Sequence, residues 1–275
     1  MKDRDIVFDL DGTLIASDIG ETLFYHTLLT QTQAPLAEDA DIQLLRPGNL
    51  RDAFTLSKEN LELLMAYQTA IGAASFREAY LLTAKWLERY SRGDLERLIR
   101  ALFEKPNVGK TITCQGCADN GIQELEISYG TAFKPDMLAI VRYLQSCQAR
   151  LWIVSASPQE VCEIMAERIG IPREHVLGAK SNSGNAAPPQ IPWGDAKTAL
   201  LREAGVVEPL IVFGDSAGDL DMLAAAKFPV VMADRSEKML AIAEERGWWV
   251  SIPEEIPEIS TQTARFKGEE RSSGS

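Results

Sequence analysis

The chain has 275 residues, 45% of them hydrophobic and 25% charged, enough for one large α/β domain or a core with a smaller companion. Its formal net charge of −12 argues against general nucleic-acid binding, which uses basic surfaces to neutralise phosphates. No apolar run reaches transmembrane length, and the charged first residues lead directly into an apolar strand. Neither a membrane span nor a secretory leader is therefore expected, and the expected location is a reducing cytoplasm. Cys114, Cys117, Cys147 and Cys162 are read as free thiols. Cys114-Gln115-Gly116-Cys117 has the spacing of a zinc or redox pair, but no second pair completes a zinc site.

The first strand is expected at residues 5–8, where an apolar run enters Asp9-Leu10-Asp11-Gly12-Thr13. From about residue 18 to 130 the pattern is helical, with no convincing strand. Ser57 is a candidate helix cap, Ser75-Phe76-Arg77-Glu78 has capping-box form, and Asp94 is a candidate cap for the stretch carrying Leu95, Leu98, Ile99 and Leu102. The stripe Tyr80, Ala84, Leu87 reads as core packing, and Arg46, Arg51 and Arg77 read as surface charge. His26 and His175 are read as structural.

Pro135 opens an amphipathic helix with Met137, Ile140, Val141 and Leu144 on one stripe. Leu151–Val154 reads as a buried strand. Ser157-Pro158-Gln159-Glu160 follows as N-cap, first-turn proline and capping glutamate, and Gly170 ends that helix. Further elements are expected at 175–179 (strand), 196–204 (helix), 210–213 (strand), from about 219 (helix) and at 228–232 (strand). Residues 181–194 read as a surface loop, and the polar stretch from 253 reads as disordered. Alternating strands and helices predict an α/β fold, a mostly parallel sheet with helices on both faces.

Leu210-Ile211-Val212-Phe213-Gly214-Asp215-Ser216-Ala217-Gly218-Asp219 repeats the opening arrangement of a buried strand running into carboxylates. Open α/β sheets bind ligands at the carboxyl edge. Four aspartates gathered there require a hard cation, and Mg²⁺ is the usual one. Asp9 at a strand end can attack phosphorus and form an aspartyl-phosphate. Mg²⁺ held by Asp9, Asp215 and the Asp11 backbone carbonyl would offset the repulsion between carboxylate and phosphodianion. Lys197 would add a second cation, with Lys180 as its competitor. Ser155 would donate to a phosphoryl oxygen, and Asp219 would orient Lys197 or a metal-bound water. Asp11, crowded by carboxylates, can carry the proton for a leaving alkoxide.

Asp9-x-Asp11-Gly-Thr13, then Ser155, Lys197 and Gly-Asp215-Ser-x-x-Asp219, resembles the four motifs of the haloacid dehalogenase superfamily in order and residue type. The likeness covers about 1–17 and 133–235. It implies a Rossmann-like catalytic core at 1–17 and 131–252, an inserted all-helical C1-type cap at 18–130, and a tail at 253–275. The intact Asp-x-Asp looks like a phosphatase, and the cap position is similar to that of phosphoserine phosphatases. Those enzymes bind a substrate ammonium through a glutamate nine residues after the nucleophile, where this chain has Asp18, with Glu21 one turn on. Thr13, Ser155 and Ala156 would join Asp18 on the substrate side. Ser155-Ala156-Ser157 replaces their Ser-Gly-Gly and the insert is longer, so the expected substrate is a small soluble phosphate ester, such as a phosphorylated amine. A phosphotransferase, a dehalogenase and a non-catalytic phospho-ligand-binding protein remain the alternatives.

Overall fold

The computed structural model describes residues 4–30, 54–104, 108–119, 121–184, 186–232 and 236–251. In chain order the first elements are β1 (Asp5–Phe8), α1 (Ile19–Leu29), β2 (Phe54–Thr55), α2 (Lys58–Gly72), α3 (Phe76–Leu87), α4 (Arg92–Glu104), β3 (Lys110–Ala118) and β4 (Gly121–Tyr129). There follow α5 (Pro135–Ser146), β5 (Arg150–Pro158), α6 (Gln159–Arg168), β6 (Val176–Ala179), α7 (Asp195–Glu203), β7 (Ile211–Gly214), α8 (Leu220–Ala224), β8 (Phe228–Met232), α9 (Glu237–Arg246) and β9 (Trp249–Ser251).

Six strands form one sheet in the order β6-β5-β1-β7-β8-β9, with every pairing parallel. Side chains alternate between the faces of a strand. Ile6 and Phe8 of β1 accordingly join one buried cluster with Met137, Val141 and Val161 from α5 and α6. Val7 joins the opposite cluster with Leu201, Met222, Leu223 and Met239 from α7, α8 and α9. Burial on both faces explains the unbroken apolar runs of β1 and β7. Phe8 is paired with Ile153 and with Phe213, so Asp9 emerges at the carboxyl end of a central strand, between β5 and β7.

The chain between β1 and α5 leaves and returns through a short antiparallel stem. Ile15 bridges Phe133, Ala16 N–H donates to Ala132 O, and Lys134 N–H donates to Leu14 O. Beyond the stem lie α1–α4, packed on the same hydrophobic cluster as Phe8. Nearly every residue of α1 is buried, as expected for a helix enclosed on all sides. The expectation of an all-helical insert is corrected here: β2, β3 and β4 form a second sheet. In the β3–β4 hairpin, Ile112, Cys114, Ile127 and Tyr129 turn inward while Thr111, Glu124 and Glu126 are exposed. That alternation belongs to a half-buried antiparallel ribbon.

Ser57 caps α2 as expected, accepting from Asn60 N–H at 3.3 Å. Three local readings shift. Ser91 rather than Asp94 begins the α4 cap, with Ser91 and Asp94 exchanging backbone-to-side-chain bonds at 3.1 and 3.2 Å. Ser75 makes no side-chain cap bond. Strand β5 continues through Pro158, so Ser157 is a strand residue and α6 begins at Gln159. The expected disordered tail, and Arg46 and Arg51, lie outside the described residues. No described helix is long and apolar enough to cross a membrane.

Candidate active site

Three loops converge at the carboxyl edge of the large sheet. The β1 loop brings Asp9, which is 5% exposed, and its N–H donates to Phe213 O at 2.9 Å. The β7 loop brings Asp215 and Asp219, and the first turn of α7 brings Lys197. One oxygen of each of Asp9, Asp215 and Asp219 lies within 4.8 Å of the others. Lys197 Nζ donates to Asp9 Oδ1 at 2.7 Å and to Asp219 Oδ1 at 2.6 Å, all three side chains being buried. Lys180, the competing lysine, is exposed and its backbone bridges Gln190.

Asp219 is held on its other oxygen by the N–H groups of Asp215 and Ser216 and by the Ser216 hydroxyl, at 3.0–3.1 Å. It therefore shapes its own loop while steadying Lys197. Gly12 faces Asp215 with φ at +75°; a Cβ there would come within 2.0 Å of Asp215 Oδ2. Only glycine fits both the left-handed backbone and the close approach.

Asp11 turns its carboxylate away from this trio. Its Oδ2 accepts from Ser155 Oγ at 2.7 Å and its Oδ1 from Ile19 N–H at 2.8 Å. Ser155 Oγ also accepts from Ser157 N–H at 2.9 Å. Ala156 lies between them on β5, almost fully buried, and Thr13 is fully buried with no hydrogen bond to its Oγ1 among the described residues. Asp18 caps α1, accepting from Glu21 N–H at 2.7 Å, and also accepts from Ser157 Oγ at 3.3 Å. The structure thus joins Asp9, Lys197, Asp215 and Asp219 in one group, and Asp11, Ser155 and Asp18 in an adjoining one.

The electrostatics follow from burying many carboxylates around one ammonium. Burial, then the Asp219 carboxylate, pushes Asp9 up to about 8 against the pull of Lys197. Burial, Asp9 and Asp219 push Asp215 up to about 9. Burial and Asp18 raise Asp11 to about 7, and burial and Glu21 raise Asp18 to about 7. Burial alone would lower Lys197, but Asp219 and Asp9 hold it above its ordinary value, fully protonated. Carboxylates crowded together in a buried site favour protonation or a neutralising cation. An all-oxygen, partly preformed donor set of Asp9, Asp215 and Asp219 fits a hard divalent cation such as Mg²⁺.

Several residues here carry no signal in the sequence. Lys134 is 8% exposed, and its Nζ donates to Gly12 O at 2.5 Å, fixing the β1 loop from the start of α5. Tyr25 Oη donates to Glu21 Oε1 at 2.5 Å, and Tyr67 is a further partner of Glu21. Tyr80 departs from the core stripe assigned to it. Burial, and then Asp18, Asp11, Asp9 and Glu21, raise its phenol well above the ordinary value. Ala84 and Leu87 do pack in the core. His26 is buried with Nδ1 2.7 Å from Tyr129 Oη, and His175 lies against Trp152, both structural positions. The four cysteines form no disulfide.

The family model for haloacid dehalogenase-like hydrolases matches residues 6–224, and the chain belongs to that family. Among solved structures, it is similar to a protein of unknown function from Bordetella pertussis Tohama I, at 17% identity and a TM-score of 0.58, covering 91% of this chain and 98% of that one. It is also similar to a conserved, functionally unknown protein from Anaerococcus prevotii DSM 20548, at 16% identity and a TM-score of 0.57, covering 89% and 83%. A phosphoserine phosphohydrolase-like protein from Francisella tularensis subsp. tularensis SCHU S4 matches at 16% identity and a TM-score of 0.48, covering 89% and 93%. No curated protein sequence matches.

Proposed function

We propose that this protein is a Mg²⁺-dependent phosphomonoester phosphatase that acts on a small phosphorylated metabolite through an aspartyl-phosphate on Asp9. The observation that carries this reading is the buried Lys197 ammonium shared by Asp9 and Asp219, with Asp215 alongside. A candidate nucleophile is bonded to a fixed cation, and a divalent-metal donor set lies within 4.8 Å.

Asp9 and Asp215, with the Asp11 backbone carbonyl, would hold Mg²⁺, which would supply the positive charge that lets a carboxylate approach a phosphodianion. Asp9 attacks phosphorus as the bond to the leaving alkoxide breaks, and Lys197 draws charge from the phosphoryl oxygens. Asp11 gives the alkoxide its proton; raised to about 7, it is divided between acid and base near neutrality. The resulting carboxylate then takes a proton from the water that attacks the phosphoryl group, which frees inorganic phosphate and restores Asp9. The Ser155 hydroxyl, resting on Asp11, turns to a phosphoryl oxygen when substrate arrives. Asp219 keeps Lys197 aimed, and Thr13 and Ala156 line the phosphoryl side.

Residues 18–130 are the cap in this reading, and 1–17 with 131–252 are the core. A cap excludes water and selects substrate. Asp18 and Glu21 lie near Asp11 on the leaving-group side, and among the described residues their side-chain hydrogen-bonding neighbours are hydroxyls of Ser157, Tyr25 and Tyr67 rather than basic side chains. That pair favours a cationic leaving group, hence a phosphorylated amine. The free thiols accord with a cytoplasmic protein.

The test is phosphate release from p-nitrophenyl phosphate with Mg²⁺, then from phosphoethanolamine, phosphocholine, phosphoserine, sugar phosphates and nucleotides. Asp9→Asn abolishes turnover on this mechanism, and full activity in that variant refutes it. A phosphorylated alcohol formed in the presence of added alcohols would make the enzyme a phosphotransferase instead.

A further inference from the structure

We propose that Trp193 is a positioning residue that ties the docking of α3 to the shape of the acidic loop 215–219 and to Lys197. Its half-buried indole lies flat on Gly218, where an added Cβ would meet ring carbons Cε3 and Cζ3 at 2.6 Å. The opposite neighbours belong to α3: the Phe76 ring at 4.6 Å, nearly stacked, and the Tyr80 ring at 5.7 Å. One side chain thus touches both the insert and the loop between Asp215 and Asp219.

The backbone around it ties the same parts together. Gly194 N–H donates to Gly218 O at 3.0 Å, and Lys197 N–H donates to Gly194 O at 3.1 Å. Any shift of the 193–194 segment therefore moves both the acidic loop and the helix that carries Lys197. From the insert, Arg77 Nη2 reaches Trp193 O at 3.3 Å and Asp195 Oδ1 at 2.5 Å. That ion pair is exposed at both ends and contributes little by itself, so the ring contacts carry the coupling. Undocking α3 removes the ring's support on one face and frees it to lift from Gly218.

The inference goes beyond the proposed reaction and rests on it only for the metal arm of the test. The first arm uses metal-free protein and follows hydrogen–deuterium exchange at the amides of Asp215 and Ser216, which are bonded to Asp219. Trp193→Ala speeds their exchange, and Trp193→Phe, which keeps an aromatic ring, restores the protection. Gly218→Ala, which forces the indole away, reproduces the effect of Trp193→Ala. The second arm measures Mg²⁺ binding by calorimetry, in which Trp193→Ala weakens affinity about tenfold, the range seen when groups behind metal ligands are lost. Unchanged exchange in folded Trp193→Ala overturns the proposal, as does a loss that Trp193→Phe fails to restore. If the wild type binds no Mg²⁺ and releases no phosphate, the proposed reaction falls, and the exchange arm still decides the role of Trp193.

Discussion

Lys197 neutralises two buried carboxylates with a single ammonium, so its removal leaves uncompensated charge in a closed site. Breaking a buried pair from one side costs about 3–5 kcal/mol. Lys197→Met is expected to lose stability of that order in urea unfolding. Lys134 acts on the site through a backbone carbonyl. Lys134→Met releases Gly12 O and is expected to lower kcat and weaken the response to Mg²⁺, with partial recovery in Lys134→Arg, read from steady-state kinetics across a Mg²⁺ series. Asp9, Asp11, Asp215 and Asp219 were legible in the sequence because each cluster follows an apolar strand that predicts its place at the sheet edge. Lys134, Trp193 and Ser157 were not. Their roles come from contacts with residues far along the chain, 122 positions in the case of Lys134 and Gly12, and no spacing rule encodes such a pairing.

Among the elements, β1, β5, β6, β7 and β8 were legible as short apolar runs between helical patterns. The β3–β4 hairpin was not, although its period-two alternation and its Asp119-Asn120-Gly121 turn signal lie in the sequence. Its buried positions include Cys114, and its other positions are rich in Thr, Gln and Glu, so its hydrophobic stripe is thin and a surrounding helical block masks it. The hairpin makes separate predictions for its two faces. Ile112 is fully buried and Ile112→Ala should cost about 2–5 kcal/mol, whereas Ile122, 82% exposed near the tip, should tolerate Lys within about 0.5 kcal/mol. Thermal or urea unfolding measures both. Elements α9 and β9 were missed for a similar reason: α9 buries only Met239 and Ala243, and β9 has three residues.

For the whole molecule, the raised carboxyls predict how stability varies with pH. Asp9, Asp215, Asp11 and Asp18 are raised to between about 7 and 9 in the fold, while unfolded carboxyls titrate near their ordinary value. Between those limits the native state holds more protons than the unfolded state, so the slope of unfolding free energy with pH is negative. The metal-free protein is therefore expected to hold the full contribution of these groups only below the ordinary carboxyl range, and to lose it progressively as pH rises from there to about 9. At the proposed metal site Mg²⁺ would replace the protons of Asp9 and Asp215, so its stabilisation should grow over the same interval; at a hundredfold excess over its Kd it would contribute about 2.7 kcal/mol. Calorimetric scans at several pH values, with Mg²⁺ and with a chelator, measure both effects. The register of the central strand carries one more consequence, for synthesis. Phe8 lies against Ile153 and Phe213, so β1 leaves the ribosome well before either of the strands that pair with it. At 5–20 residues per second it waits roughly 10–40 seconds for its later neighbour, which makes the nascent chain a client for chaperones that hold bare apolar segments.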